Sequence, residues 1–192
     1  MDLDEPCGEH FVYRNFIECG ETWNRLTASS EAGRPFDNVP RVAETFAAIR
    51  ALCAVVLDPV VNRFGPLTLT YAFASAQLTR HIKGRIHPPG DQHAGHELDR
   101  TGKPVCGRLG LAADFALPGV DSREVALWIV ENTAFDRLYF YDLDRPIHIS
   151  VGPDGARQIV HMRRGPSGRL VPRLVHPRFF RGGDPAPAKS SS

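Results

Sequence analysis

The pentapeptide Ile147-His148-Ile149-Ser150-Val151 alternates strictly, and no other stretch constrains the fold as tightly. Successive side chains of an extended strand point to opposite faces, so Ile147, Ile149 and Val151 share one face and His148 and Ser150 the other. The apolar face requires a packed core. The opposite face holds a histidine that can reach a cleft, and that can equally serve as an ordinary hydrogen-bonded residue.

The punctuation around this strand sets the remaining elements. Asn38-Val39-Pro40 opens a helix in which Val42, Phe46, Ile49, Cys53 and Val56 recur at three- and four-residue steps, until Asp58-Pro59 ends or kinks it. Leu67–Phe73 alternates and predicts a strand, and Ser75–Ile86 a short helix. Asp121-Ser-Arg-Glu124 resembles a capping box ahead of a helix facing inward through Val125, Trp128 and Ile129. Leu138–Tyr141, Ile147–Val151 and Gln158–Met162 predict strands, the last two joined as a hairpin by Pro153-Asp154-Gly155. The expected architecture is α+β: a single domain over residues 38–181, with a small antiparallel sheet and flanking helices. A segment over 1–37 wraps the surface, and a small, polar, Pro-rich tail over 182–192 is disordered. With 192 residues, 42% of them hydrophobic, the chain is long enough for one sizeable core.

Charge and cysteine usage narrow the function classes. A net charge of +1 gives no electrostatic case for a membrane surface or for nucleic acid, and the arginines of the C-terminal third read as a solvated face. No apolar run approaches the ~20 residues of a membrane span. The acidic start, Met1-Asp-Leu-Asp-Glu-Pro6, lacks the pattern of a secretory signal, so the expected location is cytoplasmic. Cys7, Cys19, Cys53 and Cys106 show no Cys-x-x-Cys spacing and read as free thiols in a reducing compartment.

Chemistry concentrates in three places. The long loop His87–Gly107, rich in Pro, Gly and His, carries Gln92-His93-Ala-Gly-His96-Glu97. Gly110-Leu-Ala-Ala-Asp114 ends a small-residue run, where a tight turn can bring a carboxylate against a metal, or simply cap a helix. His148 is the third. Two histidines and an aspartate around one open position make a plausible catalytic zinc shell. The sequence contains no Gly-x-Ser-x-Gly elbow, Walker motif, dinucleotide fingerprint or His-Glu-x-x-His helix.

The order of these landmarks resembles the D-Ala-D-Ala carboxypeptidase / phage endolysin group of zinc peptidases, whose fold is shared with Hedgehog signalling domains. The resemblance runs from residue 38 to 151. It rests on Asn38-Val-Pro40, Thr70-Tyr-Ala-Phe-Ala-Ser75, Gly110-Leu-Ala-Ala-Asp114-Phe115, Phe135-Asp136-Arg-Leu138 and Ile147-His148-Ile149-Ser150. It implies Zn2+ held by His93, Asp114 and His148, with a zinc-activated water attacking an amide or peptide-like small substrate. The chain departs from the pattern in three ways. Gly107 stands where the family's first zinc histidine falls, so the ligand lies fourteen residues further back at His93, with His96 as runner-up. The family's substrate-holding arginine falls on Ala74, and Arg85, Arg108 or Arg145 would have to replace it. Its acid/base position falls on Arg145 or Pro146, leaving Asp144, Glu97 and Asp142 as carboxylates in that order. Cys106 is a further potential ligand that would close the site. These departures leave two alternatives open: a non-catalytic binding domain, or a zinc enzyme recruited to a non-peptidase reaction in a biosynthetic pathway.

Overall fold

The computed structural model describes residues 2–28, 37–83 and 87–182. The architecture is α+β, a single domain built on a six-stranded sheet. Its strands are β1 (Thr68–Tyr71), β2 (Leu111–Ala116), β3 (Arg137–Phe140), β4 (Ile147–Val151), β5 (Gln158–Arg164) and β6 (Leu170–Leu174), in the spatial order β1-β2-β4-β3-β5-β6. The sheet is mixed, which corrects the all-antiparallel expectation: β3 and β5 run parallel, and every other pair is antiparallel.

The expected hairpin between β4 and β5 does not form, because β3 lies between them. The turn after Gly152 does not fold straight back. The Asp136 carboxylate accepts from Ala156 N at 2.8 Å, the Asp136 carbonyl accepts from Gln158 N at 2.9 Å, and Arg157 takes a positive φ of 48°. These bonds pull the chain past β4 and onto the far side of β3.

The period-two rule holds along both central strands. Ile147, Ile149 and Val151 of β4 and Leu111, Ala113 and Phe115 of β2 enter one apolar core. Helix α3 (Ala43–Leu52) supplies Ile49 and Leu52 to it, and helix α6 (Ser122–Asn132) supplies Val125, Ala126 and Ile129. Each of the Val, Leu, Ile and Phe side chains, withdrawn fully from water, contributes ~1.5–3 kcal/mol. Asp121 caps α6 by accepting from Arg123 N at 2.7 Å.

Two expectations about the first third are revised. Of the two outcomes expected for the long helix at Asp58-Pro59, an end or a kink, the end does not occur. A π-helical turn (Cys53–Leu57) accommodates the missing proline N–H, and the chain continues as α4 (Asp58–Phe64) to Gly65. The N-terminal segment is more than a surface wrap. It carries α1 (Tyr13–Ile17) and α2 (Glu21–Ala28), and Cys7, Phe11, Tyr13, Phe16 and Ile17 are part of the core. Of the expected helix over 75–86, residues 84–86 lie outside the described residues, and the rest shortens to α5 (Ala76–Thr79), capped by Ser75. Of the expected disordered tail, only Gly182 lies within the described residues. Among those residues no helix is long and apolar enough to cross a membrane.

Candidate metal centre

With the apolar faces of β2 and β4 turned to the core, Asp114 and His148 fall on the opposite face. They are direct cross-strand partners, as are Ala112 and Ser150. Asp114 is therefore a strand residue. The tight turn expected at it lies just upstream, at Gly110, whose φ is +73°. The same register continues outward, pairing Tyr71 of β1 with Asp114 and Tyr139 of β3 with His148. One row across four strands thus reads Tyr71, Asp114, His148, Tyr139.

The loop after residue 87 lays His93 onto this row. Asp91 accepts from His93 N at 3.1 Å and shapes the short 3-10 turn Gln92–Ala94. The His93 carbonyl accepts from Ala74 N at 3.0 Å, and His93 Nδ1 lies 2.9 Å from the Ala72 carbonyl. A ring nitrogen facing a carbonyl must carry the proton, so Nε2 is left with its lone pair. That nitrogen is 3.2 Å from His148 Nδ1 and 3.5 Å from Asp114 Oδ1, and His148 Nδ1 is 2.7 Å from Asp114 Oδ1. Among the described residues these three side chains form one group able to hold a metal ion. A tetrahedral ion with bonds of ~2.0–2.2 Å sets its ligands roughly 3.3–3.5 Å apart. Two of the three separations already match, and the third opens by less than an ångström.

Burial and charge are compatible with a bound cation. The side chains of His93 and His148 keep 3% and 4% of their surface exposed, whereas Asp114 keeps 26%. Burial alone would push the Asp114 carboxyl up, but the charge of His93 and the hydrogen bond from His148 outweigh it. The carboxyl is held well below the usual carboxylate range. Burial would likewise hold His93 neutral, yet Asp114, Asp91 and the Ala72 carbonyl together raise it above its ordinary value. Aromatic rings wall the group: Tyr71 lies 4.0 Å from the His93 ring and Tyr139 lies 4.8 Å from the His148 ring, centroid to centroid. The Tyr71 hydroxyl is buried without a hydrogen-bond partner, and burial together with Asp91 and Asp114 raises its ionisation well above the ordinary tyrosine value.

The exposed edge of Asp114 opens into a cleft of about 780 Å3, lined also by Tyr141, Asp142, Asp144, Arg145 and Arg164. Asp144, the first-ranked carboxylate, therefore shares a cavity with Asp114. Glu97 does not. Its carboxylate accepts from Arg41 N (3.1 Å), Val42 N (3.2 Å) and Thr45 Oγ1 (3.0 Å), so it caps the start of α3 and borders a separate cavity of about 200 Å3 beside Ala74. His96 is likewise spoken for: its Nε2 accepts from Gly110 N at 3.1 Å. The buried Cys106 is not part of the metal-capable group. Of the three arginines, Arg85 lies outside the described residues and Arg145 lines the cleft. Arg108 Nη1 donates to the hydroxyl of Tyr139 at 3.3 Å and to Gly90 O at 3.2 Å.

Sequence reasoning missed a buried polar layer beneath the trio. Gln92 donates through Nε2 to Asp136 Oδ2 and to Leu109 O, both at 3.0 Å, and accepts from Ser150 Oγ at 3.0 Å. Asp136 is fully buried and paired with Arg137, which also reaches Asp154. The layer ties the His93 loop to β3, β4 and the turn after β4. The one sequence signal for it was Ser150, which shares the polar face of β4 with His148.

Comparison of the chain with protein-family models, with curated proteins and with solved structures found no match.

Proposed function

We propose that this chain is a divergent member of the D-Ala-D-Ala carboxypeptidase / phage endolysin group, a zinc-dependent hydrolase of an amide or peptide-like small substrate. The convergence of His93 Nε2, His148 Nδ1 and Asp114 Oδ1, with Asp114 reaching the wall of an open cleft, carries this reading. Two imidazole nitrogens and one carboxylate oxygen suit zinc and leave a position open toward the cleft. When bound, the ion would supply Lewis acidity and lower the pKa of a water in that position to about 7.

The chain's own residues would do the rest. The Ala72 carbonyl keeps the His93 tautomer correct, and the Gln92–Asp136 layer keeps the loop in place. Asp144, with Asp142 lining the same cleft, is the carboxylate assigned to take and return a proton there. Arg145 and Arg164 offer charged hydrogen bonds to a substrate carbonyl or carboxylate. The alternative of a non-catalytic binding domain draws support from Glu97, whose engagement at α3 removes one of the three acid/base candidates.

Metal content of the purified protein, measured by elemental mass spectrometry, together with turnover on a panel of peptides and amides, tests the proposal. The expected result is one zinc per chain, lost in His93→Ala and His148→Ala and retained in His96→Ala. Asp144→Asn should keep the metal and lose turnover by roughly 100-fold or more, while Glu97→Gln keeps both. No zinc in the wild type after reconstitution would overturn the hydrolase reading. Zinc with no turnover in the panel, and none lost on changing Asp144, would leave the binding domain standing.

A further inference from the structure

The four cysteines share no spacing in the sequence that suggests pairing, yet the fold brings two of them together. Cys7 Sγ and Cys53 Sγ are 3.8 Å apart, in side-by-side contact, and both residues are buried, at 5% and 0% exposure. We propose that Cys7 and Cys53 form a disulfide that staples the N-terminal segment to the π-helical turn between α3 and α4.

The chain beside Cys7 runs against the π-helical turn. A Cβ built on the neighbouring Gly8 would stand 2.7 Å from Cys53 Cβ and 2.6 Å from Asp58 Oδ2, so only glycine permits this approach. The segment is also held in register at this point. Cys7 N and Gly8 N both donate to Phe11 O, closing a tight loop, and Glu9 N and His10 N donate to the two oxygens of Asp58 at 2.9 and 3.1 Å. Asp58 and Cys53 are the residues that flank and open the π-helical turn, so one short stretch of helix presents both the anchor and the partner thiol. To form the bond, the two sulfurs close from 3.8 Å to the ~2.05 Å of a disulfide.

The chemistry is a two-electron oxidation by a small-molecule disulfide of the glutathione class. The Cys7 thiol loses its proton and its sulfur attacks one sulfur of the oxidant, expelling a thiolate. The Cys53 sulfur, deprotonated in turn, attacks the Cys7 sulfur of the mixed disulfide and expels the second. Two protein thiols and one oxidant give one protein disulfide and two small thiols. Cys19 and Cys106 do not take part.

The test is to incubate the native protein with excess oxidised glutathione, and in parallel to refold it in a glutathione redox buffer. Intact mass, peptide mapping and thermal unfolding are then measured. The expected product is about 2 Da lighter than the reduced chain, with peptides containing Cys7 and Cys53 joined. Its unfolding midpoint should lie roughly 10 °C higher, because the bond closes a loop of more than forty residues. Cys7→Ser and Cys53→Ser should each abolish the mass loss and the shift, whereas Cys19→Ser and Cys106→Ser keep both. Four free thiols after both treatments, a link through Cys19 or Cys106, or a 7–53 link with no rise in midpoint would overturn the proposal.

Discussion

Replacing Gly110 by alanine should cost about 3–5 kcal/mol of stability, and the number can be built from two separable parts. The first is conformational: Gly110 has a φ of +73°, where an L side chain is strained by ~1 kcal/mol. The second is steric. A Cβ at this position would stand 1.9 Å from Val151 O and 2.6 Å from Gly152 Cα, both backbone atoms that no side-chain rotation can move. Relief requires pushing the end of β4 away from β2 by more than an ångström, next to the Leu111–Val151 pair that begins their ladder. Loss of that pairing and of well-packed core contacts supplies the remaining ~2–4 kcal/mol. Gly119→Ala is the matched control: its φ is +79°, yet nothing lies within 4 Å of its Cβ, so it carries the conformational part alone. Urea unfolding of the two variants beside wild type isolates the steric part. Because β2 and β4 hold Asp114 opposite His148, Gly110→Ala should also weaken the proposed metal binding while Gly119→Ala does not. If the two variants unfold within ~0.5 kcal/mol of each other, the close approach of β2 to β4 is refuted.

Two further outcomes are expected. Asp136→Ala leaves Arg137 buried without its main partner and removes the acceptor for Gln92 Nε2 and Ala156 N, and should destabilise by about 3–5 kcal/mol in urea unfolding. A loss under 1 kcal/mol would show that the layer is not closed to water. In the metal-free protein the Asp114–His93 pair makes stability depend on pH in a defined way. Asp114 is depressed from its ordinary 3.8, so its contribution is present above that pH and is lost as pH falls through its lower folded value. His93 is raised from 6.5, so its contribution is full below 6.5 and is lost as pH rises through its higher folded value. Urea midpoints in chelator should therefore form a plateau between about pH 4 and 6.5 and fall on the alkaline side. His93→Gln should flatten the alkaline fall, and a wild-type profile that rises through neutral pH would refute the pairing.

How much of this was legible beforehand follows from how local each signal is. The strand Ile147–Val151 was predicted to the residue, because period-two alternation is written in five consecutive positions. Helix α6 was legible from its cap and apolar face. Strand β2 was not, because Leu111-Ala-Ala-Asp114 has little strand propensity of its own. Its Ala112 and Ala113 are fully buried, and pairing with β1 and β4 on both sides makes it a strand. The false hairpin has a similar origin. Pro153-Asp154-Gly155 is a genuine turn signal, but where the strand after it pairs is decided by Asp136, nearly twenty residues away. Glu97 was offered as a catalytic carboxylate because its residue type fits. Its actual role depends on backbone N–H groups more than fifty residues earlier.

His93 and His96 show where this limit lies. Both sit in the same loop, three residues apart, and nothing in their types or spacing separates a ligand from a bystander. The fold separates them by the polarity of the backbone group each one meets. His93 Nδ1 faces the Ala72 carbonyl, an acceptor, which keeps the proton on that nitrogen and frees the Nε2 lone pair for a metal. His96 Nε2 faces Gly110 N–H, a donor, which consumes the lone pair a metal would need. Residue type therefore fixes which side chains are able to coordinate, and the backbone they dock against decides which of them are free to do so.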